Sequence, residues 1–188
     1  MQLLSRIPTR FDERKTAAAA SFLLREAGGR MPYLRLIKLL YLVDRESWDR
    51  FGRSISGDDY VSMKHGPVLS TTYDLVRREP GTDEGPWAST IERAGDFEVR
   101  LRGDPDLACL SDAEVDLLKE AHELCRTLDR WKLRDLTHSF KEWEDPGESS
   151  NPIWPEHILE ALEKTAEEID TIRQEAAERE HFDRLFGR

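Results

Sequence analysis

His138 and Glu142 stand four apart in a stretch with helical character, a spacing that lets an imidazole and a carboxylate reach one divalent ion. With His65 they would form the minimal ligand set of a metal-dependent hydrolase. Two such side chains do not make a centre, and the run His122-Glu123-Leu124-Cys125 does not complete the zinc-protease pattern. We read His138 instead as a polar core residue bonded to a carboxylate, with Asp44 as a candidate. His65, beside Gly66-Pro67, reads as a helix cap or a partner contact. Nucleophile elbows, phosphate-binding glycine loops and C-x-x-C are absent. Asp104 and Asp106 near Asp112 lack the glycine and terminal glutamate of a calcium loop. The two cysteines, Cys109 and Cys125, have no metal-ligand spacing, and Cys125 falls on an apolar helical face where a buried thiol is expected. The expectation is no catalytic residue, no metal and no cofactor.

The residue most in need of explanation is Asp44. In the run Leu34 to Phe51, at about 100° per residue, Tyr33, Ile37, Leu40, Asp44, Ser47, Trp48 and Phe51 share one side. Arg35, Lys38, Arg45, Glu46 and Asp49 share the other. A carboxylate on an apolar face needs a donor from elsewhere in the chain, because an unpaired buried charge is too costly to leave alone.

Several elements must position these side chains. A first helix is expected from Asp12, as N-cap, to Ala27, ended by Gly28-Gly29. A second opens at Pro32 and closes at Gly52. Tyr60 to Met63 reads as a short strand, and Gly66-Pro67-Val68 as the start of a third helix running through Tyr73 and Val76. The clear hairpin signal is Phe97, Val99 and Leu101 facing Ser89 to Arg93 across Ala94-Gly95-Asp96. Ser111 and Glu114 form a capping box for a helix whose apolar stripe is Leu117, Leu118, Ala121, Leu124, Cys125 and Leu128. A further helix covers Trp131 to Trp143, residues 145–152 form a loop, and one last helix begins near Pro155. The fold class is α+β and mainly α-helical: a compact helical domain with a small antiparallel β-sheet, its hairpin near residues 88–102. The expected divisions are an N-terminal extension at 1–10, a domain at 11–175 and a charged helix end at 176–188.

The chain has 188 residues and a formal charge of −10, with 35% charged residues. That charge argues against non-specific nucleic-acid binding, which rests on neutralising phosphates. The six basic side chains against three acidic ones in residues 30–53 read as a solvated face. No stretch reaches the roughly 18 apolar residues of a membrane span, and the N-terminal apolar run is too short for a secretory signal, so the cytoplasm is expected. Among the five tryptophans, Trp48, Trp131, Trp143 and Trp154 are assigned to packing. Trp87 is assigned to an interface, where tryptophan is a common anchor.

In order, Lys38-Leu39-Leu40-Tyr41-Leu42-Val43-Asp44, Asp59-Tyr60, Gly66-Pro67-Val68, Tyr73, Trp87, Phe97-Glu98-Val99, Leu110-Ser111, Thr137-His138 and Trp143 resemble the Panacea domain of SocA-type antitoxins and GepA-like phage-associated proteins. The resemblance spans roughly residues 11 to 175. It implies a non-enzymatic module, linked to toxin–antitoxin systems and phage defence, that neutralises a toxin encoded beside it. Direct complex formation and delivery of the toxin to a ClpXP-type protease are both known in the family, and a homo-oligomer is compatible with either. The resemblance marks Lys38, Tyr41, Asp44, Tyr60, Gly66, Pro67, Val68, His138 and Trp143 as structural or partner-binding, with Asp44 held by His138, Tyr41 or an amide near Gly66. Many members carry an extra variable region that contacts the toxin. Here the contact is expected on the domain, on the loop from Pro80 to Pro86, or on the acidic last helix, with Trp87, Glu168, Arg173 and Glu175 as candidates. A metal-dependent hydrolase using His65, His138 and Glu142, and a DNA-binding autorepressor, stand as the alternative readings.

Overall fold

A computed structural model describes residues 6–79, 81 and 84–187, so Pro80, Thr82 and Asp83 of the proposed contact loop lie outside the described residues. Two helices carry the largest share of the core. In α1 (Glu13–Glu26), Thr16 to Leu24 are all buried. The alanines of this run let neighbouring elements approach on every side, and a helix apolar all round belongs inside. Asp12 caps it, its carboxylate accepting from the Lys15 amide at 2.9 Å, worth about 1 kcal/mol.

Helix α2 (Tyr33–Phe51) follows the three-residue strand β1 (Arg30–Pro32) and ends on Gly52 in the left-handed conformation. It packs against α1, against the strand Gly66–Leu69 and against the helices Asp112–Cys125, Arg130–His138 and Pro155–Ala161. Because α2 is enclosed, its two-sided reading is corrected. Lys38, placed with the solvent-facing charges, has no exposed surface, while Phe51, placed on the apolar side, is 38% exposed.

The β structure forms two antiparallel three-stranded sheets. In the first, β5 (Glu98–Leu101) lies between β1 and β4 (Ile91–Arg93), pairing Met31 with Val99 and Ile91 with Leu101. Met31, Ile91 and Val99 face the core, while Phe97 sits in the turn before β5, 63% exposed. Residues 88–90, expected in the hairpin, belong to the short helix α4 (Pro86–Thr90). In the second sheet, β2 (Tyr60–Met63) lies between β3 (Gly66–Leu69) and β6 (Asn151–Ile153). Here two expectations fail. Gly66-Pro67-Val68 is a strand, and the helix α3 begins after it at Ser70 (Ser70–Arg77). Asn151 and Pro152, read as the end of a loop, belong to the edge strand β6, a position where a proline is tolerated in a sheet.

The remaining helices are α5 (Asp112–Cys125), α6 (Arg130–His138), α7 (Pro155–Ala161) and α8 (Ala166–Phe186). The capping box of Ser111 and Glu114 forms on α5 as expected, but Leu124 on the supposed stripe is 77% exposed. Helix α6 stops at His138, so Glu142 and Trp143 are not on it. The single last helix is two. The break passes through Glu163 at φ 64, and a capping box of Thr165 and Glu168 restarts the chain as α8. Apolar periodicity runs unbroken from Ile158 to Ile172, which is why the break is invisible to it.

Asp58 fastens α3 to the rest of the fold. Fully buried, it accepts from the Thr71 amide at 2.9 Å, the Thr72 amide at 2.8 Å and the Thr72 hydroxyl at 2.7 Å. These amides belong to the first turn of α3 and have no partner within it. Asp58→Ala is expected to cost about 2–4 kcal/mol of stability in denaturant unfolding, since it leaves buried donors unpaired. A change below 1 kcal/mol, as is usual for exposed positions, would show the bonds to be replaceable.

Candidate functional site

The family-motif side chains of α2 converge on one buried polar network. Asp44, 2% exposed, receives hydrogen bonds on both oxygens. Its Oδ1 accepts from the amides of Ile55 at 2.9 Å and Ser56 at 3.1 Å. Its Oδ2 accepts from the Tyr60 hydroxyl at 3.1 Å and, at closer range, from the Ser56 hydroxyl. Trp48 Nε1 in turn donates to the Tyr60 hydroxyl at 3.0 Å. The expected holders of Asp44 (His138, Tyr41, or an amide near Gly66) are therefore replaced by the chain that follows α2. Burial pushes the Asp44 carboxyl up to about 6, against the pull of its hydrogen bonds. Burial also raises the Tyr41 and Tyr60 hydroxyls, with Glu142 beside the first and Asp44 beside the second adding to it.

One turn earlier, Tyr41 donates to Glu142 Oε1 at 3.0 Å, and Arg45 Nε donates to the same oxygen at 2.7 Å. The Glu142 side chain has no exposed surface, and its Oε2 has no partner among the described residues. The Arg45 guanidinium lies 4.2 Å from the centre of the Phe140 ring. Arg45, Phe140, Ile55 and Ser56 were not singled out from the sequence. For Ile55 and Ser56 the signal is the short polar run Ser54-Ile55-Ser56-Gly57-Asp58 after a helix-ending glycine, rich in free amides, while Arg45 and Phe140 carry none.

Lys38 completes the network on the other side. Its ammonium donates to the Pro67 carbonyl at 2.6 Å. Burial brings its pKa down to about 7. Gly66 passes above it at φ +93, so close that a Cβ there would stand 2.7 Å from Thr137 Oγ1 and 2.8 Å from Lys38 Nζ. Only glycine fits this crossing. His138 stacks on Trp143, ring centres 3.9 Å apart and 8° from parallel, and Trp143 Nε1 donates to the Met63 carbonyl at 3.1 Å. Burial first, then the neighbouring Lys38, lowers the His138 pKa. Val68 and Tyr60 lie in the core beside these groups.

The hydrolase triad is not assembled. His138 is stacked on Trp143 and Glu142 is held by Tyr41 and Arg45. His65 is exposed, edge-on to Trp131. Among the described residues no group of three or more His, Cys, Asp or Glu side chains is placed to hold a metal ion. Of the four interface candidates, Trp87 is 4% exposed and part of the core, its amide bonded to Glu13. Glu168 closes the cap of α8, and Arg173 reaches Asp170 and Glu156. Glu175 is exposed and paired with Arg179 at 3.6 Å.

Both strongly shifted groups are penalised when charged. An acid whose value rises on folding stabilises the fold below its unfolded value and loses that contribution as pH rises through the folded one, here from about 4 to 6. A lysine whose value falls leaves the unfolded chain holding a proton that the folded chain lacks, so stability climbs from about pH 7 to 10. We expect the stability difference between parent and Asp44→Asn to fall through the first window. The difference between parent and Lys38→Met should rise through the second, the first change amounting to about 3 kcal/mol and the second to about 4–5 kcal/mol in denaturant unfolding. Differences independent of pH would show these groups to be hydrated. Asp44→Ala, which strands four donors, should lose about 3–5 kcal/mol.

No curated protein and no solved structure matches the chain. A family model does, over residues 36–144. That interval opens on Leu36, two residues before Lys38, and ends one residue past Trp143, so it contains every member of the polar network. The chain belongs to the family described as antitoxin SocA-like, Panacea domain.

Proposed function

We propose that this protein is an antitoxin that binds a cognate toxin protein encoded nearby and neutralises it, with no catalysis of its own. The observation that carries the reading is the match of the antitoxin domain across the interval that holds the buried network. The network itself supports a scaffold role. Its titratable groups are committed to tying α2 to the following loop, to β3 and to the segment after α6, and Lys38, Asp44 and Glu142 are closed to a substrate. Among the described residues no helix is long and apolar enough to cross a membrane. Action in the cytoplasm, with delivery of the toxin to a ClpXP-type protease as one route, belongs to the same reading. In the binding reading, the exposed length of α8 beyond Glu175, with Phe182, Leu185 and Phe186 each more than half exposed, takes part in toxin contact.

Growth of cells expressing the adjacent reading frame, with and without this protein, tests the reading. Arrest relieved by this chain, with a stable complex on co-purification, is the expected result. A harmless neighbour and no complex would refute it. If the toxin instead disappears only when the protease is present, neutralisation runs by delivery. Truncation after Glu175 should weaken the complex and leave the melting temperature nearly unchanged, since Ala176 is the one buried residue lost. A truncated chain that no longer folds would assign that helix end to structure.

A further inference from the structure

Helix α6 presents an aromatic side chain that the buried network does not use. Trp131 is 45% exposed, whereas the other four tryptophans are buried or half-buried. This corrects its assignment to packing. The guanidinium carbons of Arg130 and Arg134 lie 5.0 and 5.2 Å from its ring centre, and the His65 ring meets it at 6.4 Å and 76°. A ring flanked in this way is a partly apolar, partly cationic surface.

The patch is held from three directions. Asp129 Oδ1 accepts from the amides of Trp131 and Lys132, both at 2.9 Å, fixing the first turn of α6. Arg35 reaches from α2 to the carbonyls of Cys125 and Leu128, fixing the link between α5 and α6. The bonds from Trp143 to Met63 and from Lys38 to Pro67 anchor the strands on either side of the turn that carries His65. A preorganised surface loses little freedom on binding, which is what makes it an effective contact.

Charge decides what it would bind. The segment 126–134 carries four cationic side chains against one carboxylate, in a chain of formal charge −10. Arg134 is paired with Asp135 and Arg126 with Glu123, but Arg130 and Lys132 have no ion pair among the described residues. Both still feel the nearby Asp129 carboxylate, and two cations without an ion pair on an acidic protein are too few to carry binding to a phosphate backbone, which scales with the phosphates neutralised. They do suit a protein surface with carboxylates around an apolar side chain, and tryptophan and arginine are the residue types on which such contacts concentrate.

We propose that Trp131, with Arg130, Lys132 and His65, is a docking centre for a partner protein segment that sets carboxylates around an apolar side chain. The proposal rests on the antitoxin reading for the existence of a partner and adds the surface and its chemistry.

The test is titration calorimetry of the purified chain with the product of the adjacent reading frame. Trp131→Ala is expected to weaken binding about tenfold or more, as hot-spot tryptophans do. The double change Arg130→Glu with Lys132→Glu, at exposed or half-exposed positions, should weaken binding and remove most of its salt dependence, while Phe97→Ala on the other sheet should bind like the parent. If the parent forms the complex and both α6 variants bind as tightly, the docking surface is refuted and the antitoxin reading stands. If the parent forms no complex, that reading fails and takes the surface with it. Binding of single-stranded poly-dT that Trp131→Ala abolishes would overturn the proposal in favour of a nucleic-acid surface. A self-associated species in sedimentation that the same change disperses would overturn it in favour of a second copy.

Discussion

Asp44 accepts four hydrogen bonds from Ile55, Ser56 and Tyr60, all on the chain that leaves α2. Much of the fold depends on this clasp. Without it, the segment after Gly52 would have to find other partners for two amides and two hydroxyls in a dry interior. With it, the chain is folded back along α2 and delivered to β2 in one register, which places Asp58 under the first turn of α3 and Tyr60 against Tyr41. The second sheet is thus set by a side chain in a helix. Burial of the carboxylate costs stability, as its raised pKa records, and the return is a unique path for a loop with little apolar content to guide it.

Lys38 and Glu142 extend the same logic along α2. Lys38, on the enclosed helix, and Glu142, in the turns after α6, are both buried charges that tie α2 to a segment without strong local preference. Lys38 meets the Pro67 carbonyl, and Glu142 joins Tyr41 and Arg45 to the turns after α6. Gly66 is the geometric condition for the first contact, since any Cβ would occupy the space where Lys38 and Thr137 meet. Polar groups of this kind specify which loop goes where, while the alanine-lined and leucine-rich contacts of α1 and α2 supply the largest share of the burial.

What could be read from the sequence divides along the same line. The caps of α1 and α5, the end of α2 at Gly52, the β4–β5 hairpin and the burial of Asp44 and Cys125 are local signals, and the structure contains all of them. The second sheet was not legible beyond β2. Its other strands are three or four residues long, one holds Gly66-Pro67 and another Pro152, and neither shows an alternation long enough to count. The burial of Lys38 was missed because a two-sided helix was assumed, and only tertiary enclosure makes both sides interior. The partners of Asp44 were missed for a related reason. Backbone amides carry no residue signature, so a carboxylate that binds them gives no partner to search for. The family resemblance pointed to a set of motif residues, but not to which of them touch.

An antitoxin-type module must keep one fold while its contact surface adapts to a partner, and the distribution of charge here suits that division. The charges of the network, Lys38, Asp44 and Glu142, are buried and bonded to groups of the chain, so substitutions there act on folding. Charges on α6 and α8 are exposed, and their pairs, such as Arg134 with Asp135 and Glu175 with Arg179, sit in water where each contributes little. Surface positions of that kind can change with small effect on stability, leaving recognition free to vary around a fixed interior. Trp131 belongs to the exposed set in its surroundings and to the rigid set in its support. It is mounted on α6 close to where Gly66, Thr137 and Lys38 meet, so the contact least costly to vary lies beside the interior least tolerant of change.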